Sequence, residues 1–166
     1  MASGWDWESG EGLLRLDDPG EWDAAFARGE RRIGTAAIGL AFQCALADAS
    51  PRIVRAMGVA DPHQRGFAFT AAGTAARLNG ALTPELYAAL RAEGPGGFAA
   101  DAIGDTLTFV PFRDLPPWFK WRKALSPVTG RLDAWRLRAG WAIEDAGQFL
   151  RRTWRRPRTK RSTTRR

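Results

Sequence analysis

The sequence predicts an all-α fold: a short α-solenoid of helical hairpins with a long capping helix at its C-terminal end. Three observations predict it. "SPRIVRAM" at 50–57 has the outline of "TPELYAAL" at 83–90, an offset of 33 residues. Helix-start pairs of a side-chain cap followed by proline recur as Ser50-Pro51, Asp61-Pro62 and Thr83-Pro84. The longest periodic stretch of the chain, 131–156, comes last.

In chain order, residues 1–20 are glycine-rich and acidic and read as irregular, with Trp5 and Trp7 able to fold back onto the body. "DPGEWDAAFARG" predicts a short helix, with Trp22, Ala25 and Phe26 at helical spacing and Gly29 as its stop. "IGTAAIGLAFQCALAD" is apolar nearly all round, the pattern of a helix buried between neighbours, and is expected to run to Asp48. Ser50 and Pro51 then open a second helix to about Gly58, with the hydroxyl as N-cap and the proline at the first helical position, where its missing N–H costs nothing. Asp61 and Pro62 open the next, in which Phe67, Thr70, Ala71, Thr74 and Leu78 keep a three-four rhythm and Asn79-Gly80 makes the stop. Thr83 and Pro84 open a further helix, with Leu86, Tyr87 and Leu90 on one face and Gly94 beyond it.

At the offset of 33, Arg32 falls on Arg65, Ile53 on Leu86, Val54 on Tyr87, Ala56 on Ala89 and Met57 on Leu90. Pro84 falls on Pro117, so the phase carries into a third unit over 95–125. Pro111 interrupts that unit's first helix near its end, and Pro116-Pro117 tightens its turn. Two helices per period of this length are the signature of a solenoid, in which no hairpin buries its apolar face alone and each stacks on the next. Beyond "SPVTG", Leu132, Trp135, Ala139, Ile143, Ala146 and Leu150 trace one apolar stripe, the capping helix.

A chain of 166 residues, 45% hydrophobic and 26% charged, makes one compact domain that folds without a metal or disulfide staple. Cys44 is the sole cysteine and His63 the sole histidine, which excludes an internal disulfide and a zinc site and fits a reducing compartment. No basic and apolar leader opens the chain and no run of about 18 apolar residues occurs, so the expected location is cytoplasmic. The net charge of +7 is uneven: 151–166 carries nine Lys or Arg and no acid, leaving 16 bases against 18 acids over 1–150. The expected organisation is an irregular segment over 1–20, a helical domain over 21–156, and a disordered basic tail over 157–166, where Pro157 and the Ser/Thr run oppose helix.

Neither a Gly-rich phosphate loop nor a Gly-x-Ser-x-Gly elbow is present. His63 lacks a nucleophile or carboxylate partner in sequence and reads as structural. Asp101 and Asp105, spaced i, i+4, share one helix face and can meet a basic partner, although two carboxylates alone make a poor metal site. "PPWFKWRK" interleaves Trp118, Phe119 and Trp121 with Lys120, Arg122 and Lys123, a pattern that stacks bases and contacts phosphates or else fills a helix junction. In the tail, Arg155, Arg156, Arg158, Lys160, Arg161, Arg165 and Arg166 form a cluster that attracts nucleic acid or an anionic surface through counterion release, without sequence readout. No catalytic, cofactor or metal residue is expected.

The stretch "ADPHQRGFAFTAAGTAARLNGALTPELYAALRAEG" resembles a HEAT-like repeat unit of small bacterial proteins. The residues that carry the resemblance are Asp61, Pro62, Arg65, Gly66, Gly73, Ala76, Arg77 and Gly80, and it covers roughly 32–110; Thr74 stands where the family often shows histidine. It implies a partner-binding protein of the immunity or adaptor kind, and in a different class a nucleic-acid-binding protein of the DNA base-excision type. The expected partner surface comprises Arg55, Glu85 and Arg91 on the second helices, Asp101 and Asp105 at a charged edge, and Trp118, Lys120, Trp121 and Arg122.

Overall fold

The computed structural model describes residues 5–125, and among these the regular structure is entirely helical. The chain divides into two compact units, Met1–Trp121 and Arg122–Arg166. Of the second, residues 122–125 are described, and they are helical. The expected capping helix over 131–156 and the basic cluster of the tail lie outside the described residues. By sequence the units differ sharply in charge. The first holds 11 Lys and Arg against 15 Asp and Glu, a net −4; the second holds 14 against three, a net +11.

Helix α1 spans Pro19–Arg28. The Asp18 carboxylate accepts from the Gly20 and Glu21 amides, Pro19 supplies a preset φ, and Gly29 at φ 74° ends the helix in the left-handed conformation that glycine adopts without penalty. The segment before it is packed rather than loose. A 3-10 turn at Leu13–Arg15 brings Leu13 and Leu16 into the core with no exposed surface. Trp7 folds back as expected, buried and donating its indole N–H to the Glu21 carboxylate at 3.0 Å. Trp22 is fully buried and donates to the Ile33 carbonyl, so its polar edge is satisfied inside the core.

The apolar run expected to form one helix to Asp48 is two, α2 (Ile33–Gln43) and α3 (Leu46–Ala56), separated by extended Cys44 and Ala45. Ser50-Pro51 therefore lies inside α3 and does not open it. The Ser50 hydroxyl donates back to the Leu46 carbonyl at 2.7 Å, and the Arg52 guanidinium reaches the Asp48 carbonyl at 2.6 Å and the Pro19 carbonyl at 3.0 Å. The bonds to Leu46 and Asp48 serve carbonyls in the turn before Pro51, which itself brings no N–H, while the bond to Pro19 ties α3 to α1.

Helix α4 (Pro62–Asn79) starts and stops as the sequence predicts: Asp61 accepts from the His63 and Gln64 amides, and Gly80 at φ 59° closes it. In α5 (Pro84–Glu93) the Thr83 hydroxyl accepts from the Leu86 amide. A 3-10 turn at Gly97–Ala99 leads into α6 (Ala100–Phe109), which ends at Val110, immediately before Pro111. After a last 3-10 turn at Phe112–Asp114, α7 opens at residue 117 and covers 117–121 of the first unit.

Backbone proximity sets the packing. A Cβ on Gly34 of α2 would fall inside the Gln64 carbonyl of α4, and buried Gln64 returns its side-chain oxygen to the Thr35 amide at 3.1 Å. Gly66 of α4 meets Phe98 in the 3-10 turn before α6, and along α4 and α6 Gly73 meets Ala102 and Arg77 pairs with Asp105 at 2.9 Å. Those contacts ascend together, so the two helices run parallel. Helix α3 packs against α2, α4 and α5, and α1 against α2 and α3. On α3 and α5, Ile53, Met57, Leu86 and Leu90 are buried while Val54 and Tyr87 are half-buried.

Candidate functional site

One face of α5 presents Pro84, Tyr87, Ala88 and Arg91, the i, i+3, i+4, i+7 set that helical geometry places in a row. Across from it stand Pro116, Pro117, Trp118 and Phe119, which carry the chain into α7. Between them is a cleft of about 470 Å³, within the range of small-ligand sites. Three prolines fix the backbone at its walls, because their φ is set by the ring. Phe119 is buried and anchors the site: the Tyr87 ring meets it edge-on with centroids 5.1 Å apart, and the Trp118 ring at 4.8 Å. Such edge-to-face pairs set one ring against the positive rim of another and hold both in place.

Burial pushes the Tyr87 phenol above its ordinary pKa of 10.0, aided by the negative charge of Asp114, so the hydroxyl is neutral at physiological pH. Arg91 is the charged residue of the lining. It is exposed and makes no ion pair among the described residues. An apolar cleft with one cationic end is chemically suited to a ligand with an apolar body and an anionic group.

The expected partner residues fall in different places. Arg91 and Trp118 meet at the cleft. Trp121, 64% exposed, and half-buried Lys120 follow on α7, and Glu85 is exposed beside Pro84 without lining the cleft. Arg122 belongs to the second unit. Arg55 is remote and engaged: it pairs with Asp23 at 2.9 Å, lies 4.3 Å above the Phe26 ring, and shares Asp23 with Arg52. Asp105 is held by Arg77 and packs against Gly73, whereas Asp101 is exposed in the first turn of α6. Among the described residues no three metal-ligating side chains gather anywhere, the Asp101 and Asp105 pair included. His63 is exposed at the start of α4.

Cys44 is half-buried with its thiol toward the Asp17 carbonyl, and burial, with Asp17 and Asp48 adding to it, pushes the thiol pKa up. Both effects favour the protonated thiol over the reactive thiolate. Sequence reasoning assigns Tyr87 to a core-facing stripe and misses Ala88 and the prolines as cleft walls. The available signal is the offset that lays Pro117 on Pro84, which implies two helix starts at equivalent phase.

In comparisons with known proteins, no family model, no curated protein and no solved structure matches the chain. Among the described residues no helix is long and apolar enough to cross a membrane.

Proposed function

We propose that this chain is a non-enzymatic protein-binding module, a short HEAT-like α-solenoid of the immunity or adaptor kind, that holds a partner on the exposed side of α5 and α7. The solenoid reading is supported by parallel α4 and α6, by α2 set against α4 at their N-terminal ends, and by α3 packing on α5 behind them. It is supported also by burial that recurs at the offset of 33, Ile53 with Leu86 and Met57 with Leu90.

The observation that carries the binding reading is Trp121, 64% exposed on α7, the helix whose first turn supplies Trp118 and Phe119 to the cleft. Tryptophan and arginine are the residues that most often dominate interface energy, and an indole left in water is a hydrophobic contact not yet made. The test is affinity capture from native host extract with the full chain, compared with Trp121→Ala and Glu85→Ala, neither of which lines the cleft. A partner retained by the parent chain and lost at least tenfold with Trp121→Ala, at unchanged unfolding midpoint, is the expected result. Partners that bind all three chains equally would remove this face from consideration.

The charge division favours a second reading, a nucleic-acid-binding protein whose Arg122–Arg166 unit, at +11, supplies the phosphate contacts while the first unit, at −4, does not.

A further inference from the structure

We propose that the cleft between α5 and the Pro116–Phe119 segment is a binding site for a small amphipathic carboxylate, with its aryl or alkyl body between Tyr87 and Trp118 and its carboxylate on Arg91. This goes beyond the partner-binding reading, because a ligand of this kind is held whether or not a protein covers the face.

Shape and chemistry agree along the length of the cleft. From Pro84 to Arg91 the chain advances seven residues, about 10 Å at the helical rise. That is the length of an arylalkyl or medium-chain acid laid along α5. Its walls offer aromatic faces and proline rings, and Phe119 behind them is buried. Pro84, Pro116 and Pro117 hold the walls in place before any ligand arrives, which lowers the ordering cost of binding.

The charge selects among amphiphiles. Arg91 is the one charged side chain of the lining. The other arginines near aromatic rings, Arg55, Arg65 and Arg77, are already paired with Asp23, Glu93 and Asp105. Arg91 has no such carboxylate among the described residues, and its fork of donors matches a carboxylate held bidentately. With one cation in the lining, the cleft has a partner for one carboxylate and none for a second.

The probe is 4-phenylbutyrate, titrated into the isotope-labelled full chain at 0.15 M salt and followed by amide chemical shifts, with 4-phenylbutylamine as the matched cation. The expected result is saturable binding below about 1 mM, with shifts centred on Tyr87, Ala88, Arg91 and Trp118. The amine should bind at least tenfold more weakly. Arg91→Glu should exchange that preference, and Ala88→Trp, which fills the cleft from an exposed position, should abolish binding of both. Should Ala88→Trp fail to fold, the Arg91→Glu comparison decides. The proposal is overturned by equal binding of acid and amine, by a preference that survives Arg91→Glu, by shifts centred elsewhere, or by no saturable binding. Trp121→Ala leaves probe binding unchanged, so loss of partner capture in that variant and loss of probe binding in the Arg91 variant are separate outcomes.

Discussion

Arg55, Arg65 and Arg77 share one arrangement: each guanidinium lies over an aromatic ring, of Phe26, Phe98 and Phe109 respectively, and pairs with a carboxylate, of Asp23, Glu93 and Asp105. Guanidinium groups suit this because a flat cation can stack and donate in its own plane at once. Arg55 is 48% exposed at its side chain, so solvent screens its ion pair and most of its worth is the stacking. Arg55→Ala should therefore cost about 1 kcal/mol, and Arg55→Lys should recover only part of that. Arg91→Ala, which removes neither a described ion pair nor a ring contact, should stay within about 0.5 kcal/mol of the parent. Urea unfolding of the three variants checks this, and equal costs at positions 55 and 91 would show that the stacked arrangement contributes nothing. The same contrast explains why Arg55, expected from its exposed helical position to meet a partner, is a poor probe of binding: its removal also loosens α1 from α3.

At the scale of elements, glycines at helix crossings decide how closely neighbours approach. A Cβ at Gly34 collides with the Gln64 backbone, which cannot swing aside as a side chain would. Gly104, in the interior of α6, has nothing within 4 Å of the same position. Gly34→Ala should destabilise by about 2 kcal/mol or more through overpacking, whereas Gly104→Ala should stabilise by about 1 kcal/mol through helix propensity. Paired urea midpoints test both signs; a stable Gly34→Ala would mean that α2 and α4 can part without loss. The need for glycine at 34 is invisible in sequence, since it depends on a residue 30 positions away. Helix boundaries are legible where the signal is local: Asp61 and Thr83 cap α4 and α5 with their own oxygens, and Gly29 and Gly80 end their helices at positive φ. Ser50-Pro51 has the same grammar and a different role. What separates α2 from α3 is an extended Cys44-Ala45 pair, and neither residue type breaks helices, so the proline reads as a start in sequence although it is an interior residue. The cleft is half legible: Arg91 and Trp118 stand out by type, while the walls that join them require α5 and the Pro116–Phe119 segment to be seen side by side.

For the whole molecule the governing fact is the division of charge, −4 over residues 1–121 and +11 over 122–166. A polyanion is attracted to the second unit and repelled on average by the first, so duplex DNA should bind the full chain with an affinity that falls steeply with salt. Each phosphate contact contributes about −0.9 to the slope of log Kobs against log salt. Replacing Lys160, Arg161, Arg165 and Arg166 together by Ser in the full chain should therefore flatten that slope by up to about 3.6, the value if every one of the four touches a phosphate. Arg31→Ser with Arg113→Ser, two exposed cations of the first unit, should leave it unchanged. A slope indifferent to the four tail substitutions and flattened by the first-unit pair would place the phosphates on the acidic body against its mean field. That outcome would require a local cationic surface there, and nucleic-acid recognition would then displace protein binding as the better account of the fold. The expected outcome instead assigns electrostatic adhesion without sequence readout to 122–166, and partner capture with Trp121→Ala remains the separate test of the face proposed on the first unit.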